Sequence, residues 1–194
     1  MKLVIIKYNA GNIQSVSFAL ERLGVDFAIT DNAEEIRKAD KVIFPGVGEA
    51  STTMHYLRDH KLDQVITTLK QPVLGICLGM QLMCAFSEEN NTECLGIFGE
   101  TVKRFIPQGD LKVPHMGWNS LTLSDSWIDR SVDQQYAYFV HSFYVPVNAH
   151  TSAATEYIVP FSAAMHKDNF YAVQFHPEKS AETGERVLKS FLAL

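Results

Sequence analysis

The sequence feature that most constrains the fold is a cysteine flanked by two glycines, in the segment Gly75-Ile76-Cys77-Leu78-Gly79. An apolar run at 72–74 precedes this segment, and a helix-like run at 80–83 follows it. The pattern predicts a nucleophile elbow, in which a strand turns sharply into a helix and exposes its central side chain. Glycines suit such a turn because it crowds any neighbouring Cβ. The helix start favours a thiolate, so the pattern predicts a nucleophile at Cys77, with a buried structural cysteine as the alternative.

Strand-like and helix-like patterns alternate through the first half of the chain. Short apolar runs predict strands at 3–6, 25–29, 41–44 and 73–76. Apolar residues at helical spacing predict helices at 12–23, 33–38, 50–58 and 62–69. Continuously apolar strands that alternate with helices predict a parallel sheet covered on both faces.

The second half of the chain has a different pattern. Between 96 and 174 the runs are short, rich in Val, Phe, Tyr and Thr, and separated by turn residues. They predict antiparallel or mixed strands that extend the sheet, and 181–192 predicts a closing helix. The fold class is therefore α/β, one domain over 1–194, with a mostly parallel central sheet and added antiparallel strands.

The composition of the chain excludes several classes of function and indicates its cellular compartment. The 194 residues, 46% of them hydrophobic, suffice for one core, and a net charge of −5 without a basic patch argues against binding nucleic acid or an anionic membrane. No apolar stretch approaches the roughly 20 residues needed to span a bilayer, and 1–7 lacks the features of a signal peptide. The three cysteines cannot all pair and match no zinc or redox spacing. We therefore expect a cytoplasmic protein without a metal or cofactor.

A cysteine nucleophile needs a base, and the base needs an orienting group. Among seven histidines, His176 stands out because it ends the apolar run 170–175 and is followed by Pro177 and Glu178. Residues two apart on an extended segment share a side, so His176 and Glu178 are predicted to face the cysteine together. A plain strand end before the closing helix is the alternative. The other histidines have no sharper context: His55, His60, His115, His141, His150 and His166.

Acyl transfer also requires donors for the developing oxyanion. The backbone N–H of Leu78, at the start of the elbow helix, is one candidate. The glycine-rich loop at 45–48 can supply a second donor around Val47 and Gly48, because glycine permits unusual backbone angles. The alternatives are an ordinary strand-to-helix turn and, less favoured, a phosphate cradle, for which the loop lacks the spacing and the lysine.

Three motifs together resemble the class I glutamine amidotransferases, and the resemblance covers the whole chain: 45–48, 75–81 and Gln174-Phe175-His176-Pro177-Glu178. Further motifs resemble one of their families, the glutaminase subunits of imidazole glycerol phosphate synthase from histidine biosynthesis: 8–16, 114–119 and 139–144. Many relatives have Asp-Tyr-Gly where this chain has Lys7-Tyr8-Asn9. This difference affects local details of the predicted interface but not the resemblance to the family.

The resemblance implies the chemistry and the residues that perform it. Cys77 attacks the side-chain amide of glutamine, His176 moves the protons, and Glu178 orients His176. Glutamate is released from a thioester by water. The resemblance assigns glutamine binding to Gly46, Gln81, Glu93, Ser142 and Phe143.

The resemblance also implies a partner, a (β/α)8-barrel cyclase subunit that forms a heterodimer with the glutaminase and receives its ammonia. Interface positions would include Asn12, Trp118 and Lys179. Because idle turnover would waste glutamine, we expect the loop 46–48 to turn an oxyanion N–H inward only when the partner carries its ligand. Three alternatives are a paralogous glutaminase that serves a sugar-modifying synthase, a related cysteine hydrolase, and a binding module with an inactive triad.

Overall fold

The computed structural model describes residues 1–8, 12–124 and 126–194. Residues 9–11, within the motif at 8–16, lie outside the described residues. Across the described ranges, none of the helices combines the length and the apolar character needed to cross a membrane.

The main sheet of the described chain has eight strands, and five adjacent ones run parallel. In spatial order these five are β2 (Phe27–Thr30), β1 (Leu3–Ile6), β3 (Lys41–Phe44), β4 (Val73–Ile76) and β14 (Phe170–Val173). Three antiparallel strands continue the sheet beyond β14: β13 (Val159–Lys167), β12 (Thr151–Tyr157) and β9 (Thr122–Leu123). The α/β class and the mostly parallel sheet with added antiparallel strands are confirmed.

Helices cover both faces of this sheet, as predicted. The helices are α1 (Ile13–Arg22), α2 (Ala33–Arg37), α3 (Ala50–Asp59), α4 (Leu62–Thr67), α5 (Leu78–Met83) and α6 (Ala181–Leu192). Successive residues of β1 alternate between two cores: Val4 and Ile6 belong to the core under α3, α4 and α5, and Leu3 and Ile5 to the core under α1 and α6. The elements predicted for the first half are present with ends within two residues of the predicted ones.

One prediction about the second half is wrong in part, because several strands leave the main sheet. β8 (His115–Ser120) pairs only with β10 (Tyr136–His141) in the described residues. A further sheet contains β11 (Phe143–Tyr144), β7 (Thr101–Arg104), β5 (Phe86–Ser87) and β6 (Thr92–Glu93). Burial alternates along β10, so this two-stranded sheet lays one face on the core as an extra layer instead of extending an edge.

Candidate active site

Cys77 lies on a sharp turn between β4 and α5, as the elbow pattern predicts. Its backbone has φ +53° and ψ −108°, in a region that a residue with a Cβ rarely adopts and that marks stored strain. The flanking glycines are required by space: a Cβ on Gly75 would lie 2.9 Å from Met83 Sδ, and a Cβ on Gly79 would overlap the carbonyl oxygen of Phe44. The elbow therefore holds the sulfur at the carboxyl edge of the sheet.

The pairing of β4 with β14 brings His176 to the same edge. The two strands run in parallel, and the N–H of Cys77 donates to the carbonyl of Val173 at 2.8 Å. His176 follows three residues later, and its Nδ1 lies 2.8 Å from Glu178 Oε1, with both side chains 1% exposed. The sequence predicted an extended segment here, but Glu178 lies in a 3-10 turn over Pro177–Lys179. The proline-initiated turn bends the chain back, so that the carboxylate meets the ring from the side.

The electrostatics of the site favour a charged His176. Burial acts to lower its pKa, but the Cys77 thiolate and the Glu178 carboxylate outweigh burial and raise the pKa of His176 to about 10. Because Nδ1 faces Glu178, Nε2 is the ring nitrogen that remains for exchanging a proton with Cys77. In the described part of the chain Nε2 is buried and makes no hydrogen bond, so it is free for this exchange.

A cavity of about 370 Å³ opens in front of Cys77 and His176, a size suited to a small ligand. It brings together most of the predicted site residues with several that the sequence did not indicate. The lining residues are Val47, Gly48, Cys77, Leu78, Gln81, Glu89, Pro114, Val140, His141, Ser142, Phe143 and His176.

The prediction for Glu93 is wrong, because its exposed side chain lines a separate surface depression with His55 and Arg58. The acidic residue in the cavity is Glu89, which lies in a 3-10 turn over Glu89–Asn91. Its Oε2 accepts a hydrogen bond from the N–H of Ala50 at 2.8 Å. Burial raises the pKa of Glu89, although this hydrogen bond opposes the rise. The sequence offers no periodic signal for choosing between the two glutamates.

Gln81, predicted to hold glutamine, is buried on the first turns of α5. Its Nε2 donates to the carbonyl of Phe143 at 3.0 Å and to Oε1 of Gln174 at 2.9 Å. Both amide hydrogens are thereby used, which leaves Oε1 as the atom available to a ligand. Gln174 was quoted only as part of the His176 motif, and its proximity to the nucleophile is new: its Nε2 lies 3.6 Å from Cys77 Sγ.

The predicted oxyanion donors, the N–H groups of Leu78 and of Val47 or Gly48, do not form a pair of free donors in this structure. The N–H of Leu78 donates to the carbonyl of Gly46 at 3.2 Å, so this loop occupies the donor. Gly46 is tightly enclosed by Tyr8 and Leu78, and Tyr8 donates a hydrogen bond to the carbonyl of Pro45. Gly48 is exposed with φ +116°, and nothing lies within 4 Å of a Cβ added there. Within the loop 45–48, Pro45 and Gly46 are therefore held by contacts, whereas Gly48 is exposed to solvent.

The three predicted interface residues have different environments. Trp118, on β8, is 52% exposed, and Lys179 is exposed at the end of the turn that carries Glu178. Asn12, in contrast, is buried, and its side chain donates a hydrogen bond to Glu178. Asn12 therefore supports the carboxylate that orients His176 instead of facing solvent, and no sequence spacing indicates this long-range contact.

Two histidines to which the sequence assigned no role form a buried pair at the cavity: His141 lines it, and His115 lies behind His141. His115 Nδ1 lies 3.0 Å from His141 Nε2, and His141 Nδ1 lies 2.7 Å from the carbonyl of Phe143. Burial lowers the pKa of His115 to about 4 and, with opposition from the hydrogen bond to Phe143, the pKa of His141 to about 3. Both rings are neutral near pH 7 and serve as fixed hydrogen-bonding groups.

Comparison with known proteins agrees with this geometry. The family model "Glutamine amidotransferase class-I" matches residues 4–194. The chain is 61% identical to the imidazole glycerol phosphate synthase subunit HisH of Bacteroides fragilis, over 100% of both chains, and 47% identical to that of Idiomarina loihiensis, over 100% of this chain and 98% of that one. A solved glutamine amidotransferase shares the fold with a TM-score of 0.76 at 17% identity, over 98% of this chain and 97% of that one. The chain therefore belongs to the class I glutamine amidotransferases and, within them, to the family of the HisH subunits.

Proposed function

We propose that this chain is the glutaminase subunit of imidazole glycerol phosphate synthase, and that it hydrolyses glutamine to glutamate and ammonia. The observation that carries the proposal is Cys77 on a strained elbow, in one cavity with His176, whose ring is hydrogen-bonded to Glu178. Membership of the HisH family supports the choice of pathway.

In the first half-reaction, Cys77 Sγ attacks the side-chain amide carbon of glutamine. The thiol proton resides on His176, whose raised pKa favours the imidazolium. As the tetrahedral intermediate collapses, the C–N bond breaks and His176 donates this proton to the departing ammonia. A γ-glutamyl thioester remains on Cys77.

In the second half-reaction, the now neutral His176 takes a proton from water, and the resulting hydroxide attacks the thioester carbon. The C–S bond breaks, glutamate leaves, and the thiolate–imidazolium pair returns. Glu178, supported by the Asn12 side chain, keeps Nδ1 protonated and Nε2 directed at the chemistry in both steps.

The polar groups of the cavity suit the two ends of glutamine. The Oε1 of Gln81 and the carboxylate of Glu89 are acceptors for its ammonium group, and Glu89 takes the place that the sequence assigned to Glu93. Ser142 and Phe143 offer backbone contacts to the amino-acid end. Gly46 contributes its carbonyl and its lack of a side chain, which keeps the loop close to Leu78.

The oxyanion donors form part of the same proposal. In the resting state the Gly46 carbonyl holds the N–H of Leu78, and the second donor, from Val47 or Gly48, turns inward only when the partner carries its ligand. The exposed Gly48 with positive φ supports a low cost for such a rotation. A site with this resting state does not spend glutamine while the acceptor is absent.

The partner in this proposal is a (β/α)8-barrel cyclase, which takes up ammonia before it is protonated in water and forms imidazole glycerol phosphate and aminoimidazole carboxamide ribonucleotide. Trp118 and Lys179 are both exposed, and Lys179 lies in the turn that follows His176, which supports their role in this interface. We place the complex in the cytoplasm, on the basis of cysteines that cannot all pair.

The test is glutamate release by the purified chain alone, with the cyclase, and with the cyclase plus its ribonucleotide ligand. We expect strong stimulation only in the last mixture. Glutamine hydrolysis that the cyclase and its ligand do not stimulate would support the catalytic triad but contradict the assignment to this pathway, and would favour a paralogous synthase. Absence of hydrolysis in all three mixtures would overturn the glutaminase activity itself.

Variants of the triad separate chemistry from assembly. Cys77→Ala and His176→Asn should abolish glutamine hydrolysis and leave ammonia-dependent synthesis by the complex intact. Cys94→Ala is the matched control, since that partly buried thiol lies outside the cavity lining. Loss of both activities in Cys77→Ala would show that the residue supports assembly.

A further inference from the structure

We propose that Gln174 is a catalytic residue of this site, whose side-chain Nε2 donates a hydrogen bond to Cys77 Sγ and holds the thiolate in position for attack. The contact distance is 3.6 Å, and both side chains are buried. The proposal rests on the proposed function, because it takes Cys77 as the nucleophile.

The direction of this hydrogen bond follows from a chain of fixed polarity. The carbonyl of Phe143 can only accept, so the amide of Gln81 must turn its Nε2 toward it, at 3.0 Å. The second hydrogen of the same Nε2 then faces Gln174 Oε1 at 2.9 Å. With Oε1 of Gln174 used as the acceptor, its Nε2 is the atom that faces the sulfur of Cys77.

The start of this chain is itself held in place. The carbonyl of Phe143 also accepts from His141 Nδ1 at 2.7 Å, and His141 Nε2 lies 3.0 Å from His115 Nδ1. With Nδ1 of His141 protonated, the neutral ring accepts at Nε2, so His115 donates to it. Phe143 therefore presents its oxygen to two donors, and the orientation of both glutamine amides depends on it.

The position of Gln174 explains why an amide stands in this buried place. It directly follows β14, the strand that pairs with β4 ahead of Cys77, and its N–H donates to the carbonyl of Ala163 at 2.8 Å. The side chain is fully buried, and burying an unpaired amide would destabilise the fold. An apolar side chain would fill the same space without that cost, so the amide is explained by what it binds, Gln81 on one side and the sulfur on the other.

The amide of Gln174 differs from the titratable groups around Cys77 Sγ, because it does not exchange protons. The titratable groups that face Cys77 are His176, with Glu178 behind it, and Tyr8, whose pKa is raised by burial and by the charge of Cys77. His141 lines the same cavity but is neutral near pH 7. His176 gives up its proton during the reaction, whereas the amide of Gln174 keeps its hydrogens and remains a donor to sulfur throughout both half-reactions.

The test measures alkylation of Cys77 by iodoacetamide, in which the thiolate displaces iodide, at a series of pH values and without glutamine. Gln174→Met removes the donor at similar length, and Gln174→Glu keeps an acceptor for Gln81 but turns an acceptor toward the sulfur. Gln64→Glu, at an exposed position, controls for the change in charge. Peptide mass spectrometry separates Cys77 from Cys84 and Cys94, whose pKa values burial raises, that of Cys94 to about 12.

We expect alkylation at pH 7 to be about 10-fold slower in Gln174→Met, as for the loss of one hydrogen bond to a charged group, and slower still in Gln174→Glu. The alkylation profile should move to higher pH in both variants. In glutaminase assays Gln174→Glu should lower kcat far more than it changes KM, because Gln81 keeps its partner. Gln64→Glu should match the unaltered chain in every measurement.

Folded variants that alkylate at the unaltered rate across the pH range would overturn the proposal and leave Gln174 as a core residue. If Gln174→Glu does not fold, Gln174→Met decides. If neither folds, NMR of the Gln174 side-chain amide in the unaltered chain decides, since its resonances should move when Cys77 is alkylated, and unmoved resonances contradict the contact. Failure of the unaltered chain to hydrolyse glutamine is a separate result and concerns the proposed function alone.

Discussion

The two walls of the active-site cavity are built in different ways. One wall comes from the turns after β3 and β4 in the regular half of the chain and includes Gly48, Cys77 and Gln81. The other wall comes from the irregular second half and includes Phe143 and His176. The first is held by steric contact between backbone segments, and the second by hydrogen bonds of buried polar side chains.

Because the two walls are held by different interactions, we expect them to respond to different changes. The elbow depends on glycines at which no Cβ fits, so its backbone fold is destabilised by any added side-chain atom. The wall of the second half depends on buried neutral rings and amides, so it responds to the loss of a single hydrogen bond and to acid. Four predictions test the contrast, beginning with the largest effect.

Gly79→Ala should have the largest effect, because its Cβ would overlap the Phe44 carbonyl and neither backbone segment can give way cheaply. We expect a loss of about 3 kcal/mol or more in the free energy of unfolding, together with loss of glutaminase activity. Chemical denaturation measures the first quantity. Gly99→Ala is the control, since nothing lies within 4 Å of the added methyl group there. Equal stability of the two variants would show that the elbow wall is not sterically locked.

His141→Phe should act on the opposite wall. The ring shape is kept, but the donor to the Phe143 carbonyl and the acceptor for His115 are lost. We expect a destabilisation of about 2 kcal/mol and a higher KM for glutamine, because Phe143 loses its anchor. His55→Phe, at an exposed position, is the control. An unchanged KM in a stable His141→Phe variant would contradict the role of these hydrogen bonds in shaping the cavity.

Acid should weaken the same wall in the unaltered chain. His141 has an ordinary pKa of 6.5 when unfolded and about 3 when folded, so below pH 6.5 the unfolded chain binds the proton and the folded chain does not. Stability is therefore present above pH 6.5 and is lost as the pH falls toward 3, by about 2 kcal/mol at pH 5 for this residue. Unfolding measured from pH 7 to 5 should show a shallower loss in His141→Phe. A parallel loss in both chains would contradict the buried, neutral ring.

Gly48→Ala should have the smallest effect on stability, about 1 kcal/mol, because nothing lies within 4 Å of the added methyl group and only the positive φ opposes a side chain. Its effect on turnover should be larger than its effect on unfolding. Proline or a β-branched residue at Gly48 should change the ligand-dependent stimulation of glutamine hydrolysis and leave complex formation intact. Unchanged stimulation would refute the loop rotation.

The contrast also separates what could be predicted from what could not. The elbow was predicted from five consecutive residues, because turn chemistry and helix starts are local properties of the chain. His176 was predicted from its place at a strand end, although the turn that carries Glu178 differs from the extended segment expected. The parallel pairing of β4 and β14 explains why two motifs about a hundred residues apart meet at one edge.

The errors concern residues whose role depends on distant contacts. Glu93 was assigned to glutamine binding, whereas Glu89 lies in the cavity. The chain between the two contains Asn90 and Asn91 with positive φ, and such a segment has no periodicity that would predict which side chains face the cavity. Asn12 was placed at an interface, although the fold buries it against Glu178.

The sequence by itself determined the strand-helix order of the first half, the elbow at Cys77 and the motif that contains His176, because each is encoded by neighbouring residues. Only the tertiary structure decided which acid enters the cavity, why Asn12 is buried, and how Phe143, Gln81 and Gln174 join into a chain that ends at the sulfur. Hydrogen bonds between residues far apart in the chain depend on the pairing of strands and the packing of turns, and no local pattern records their direction.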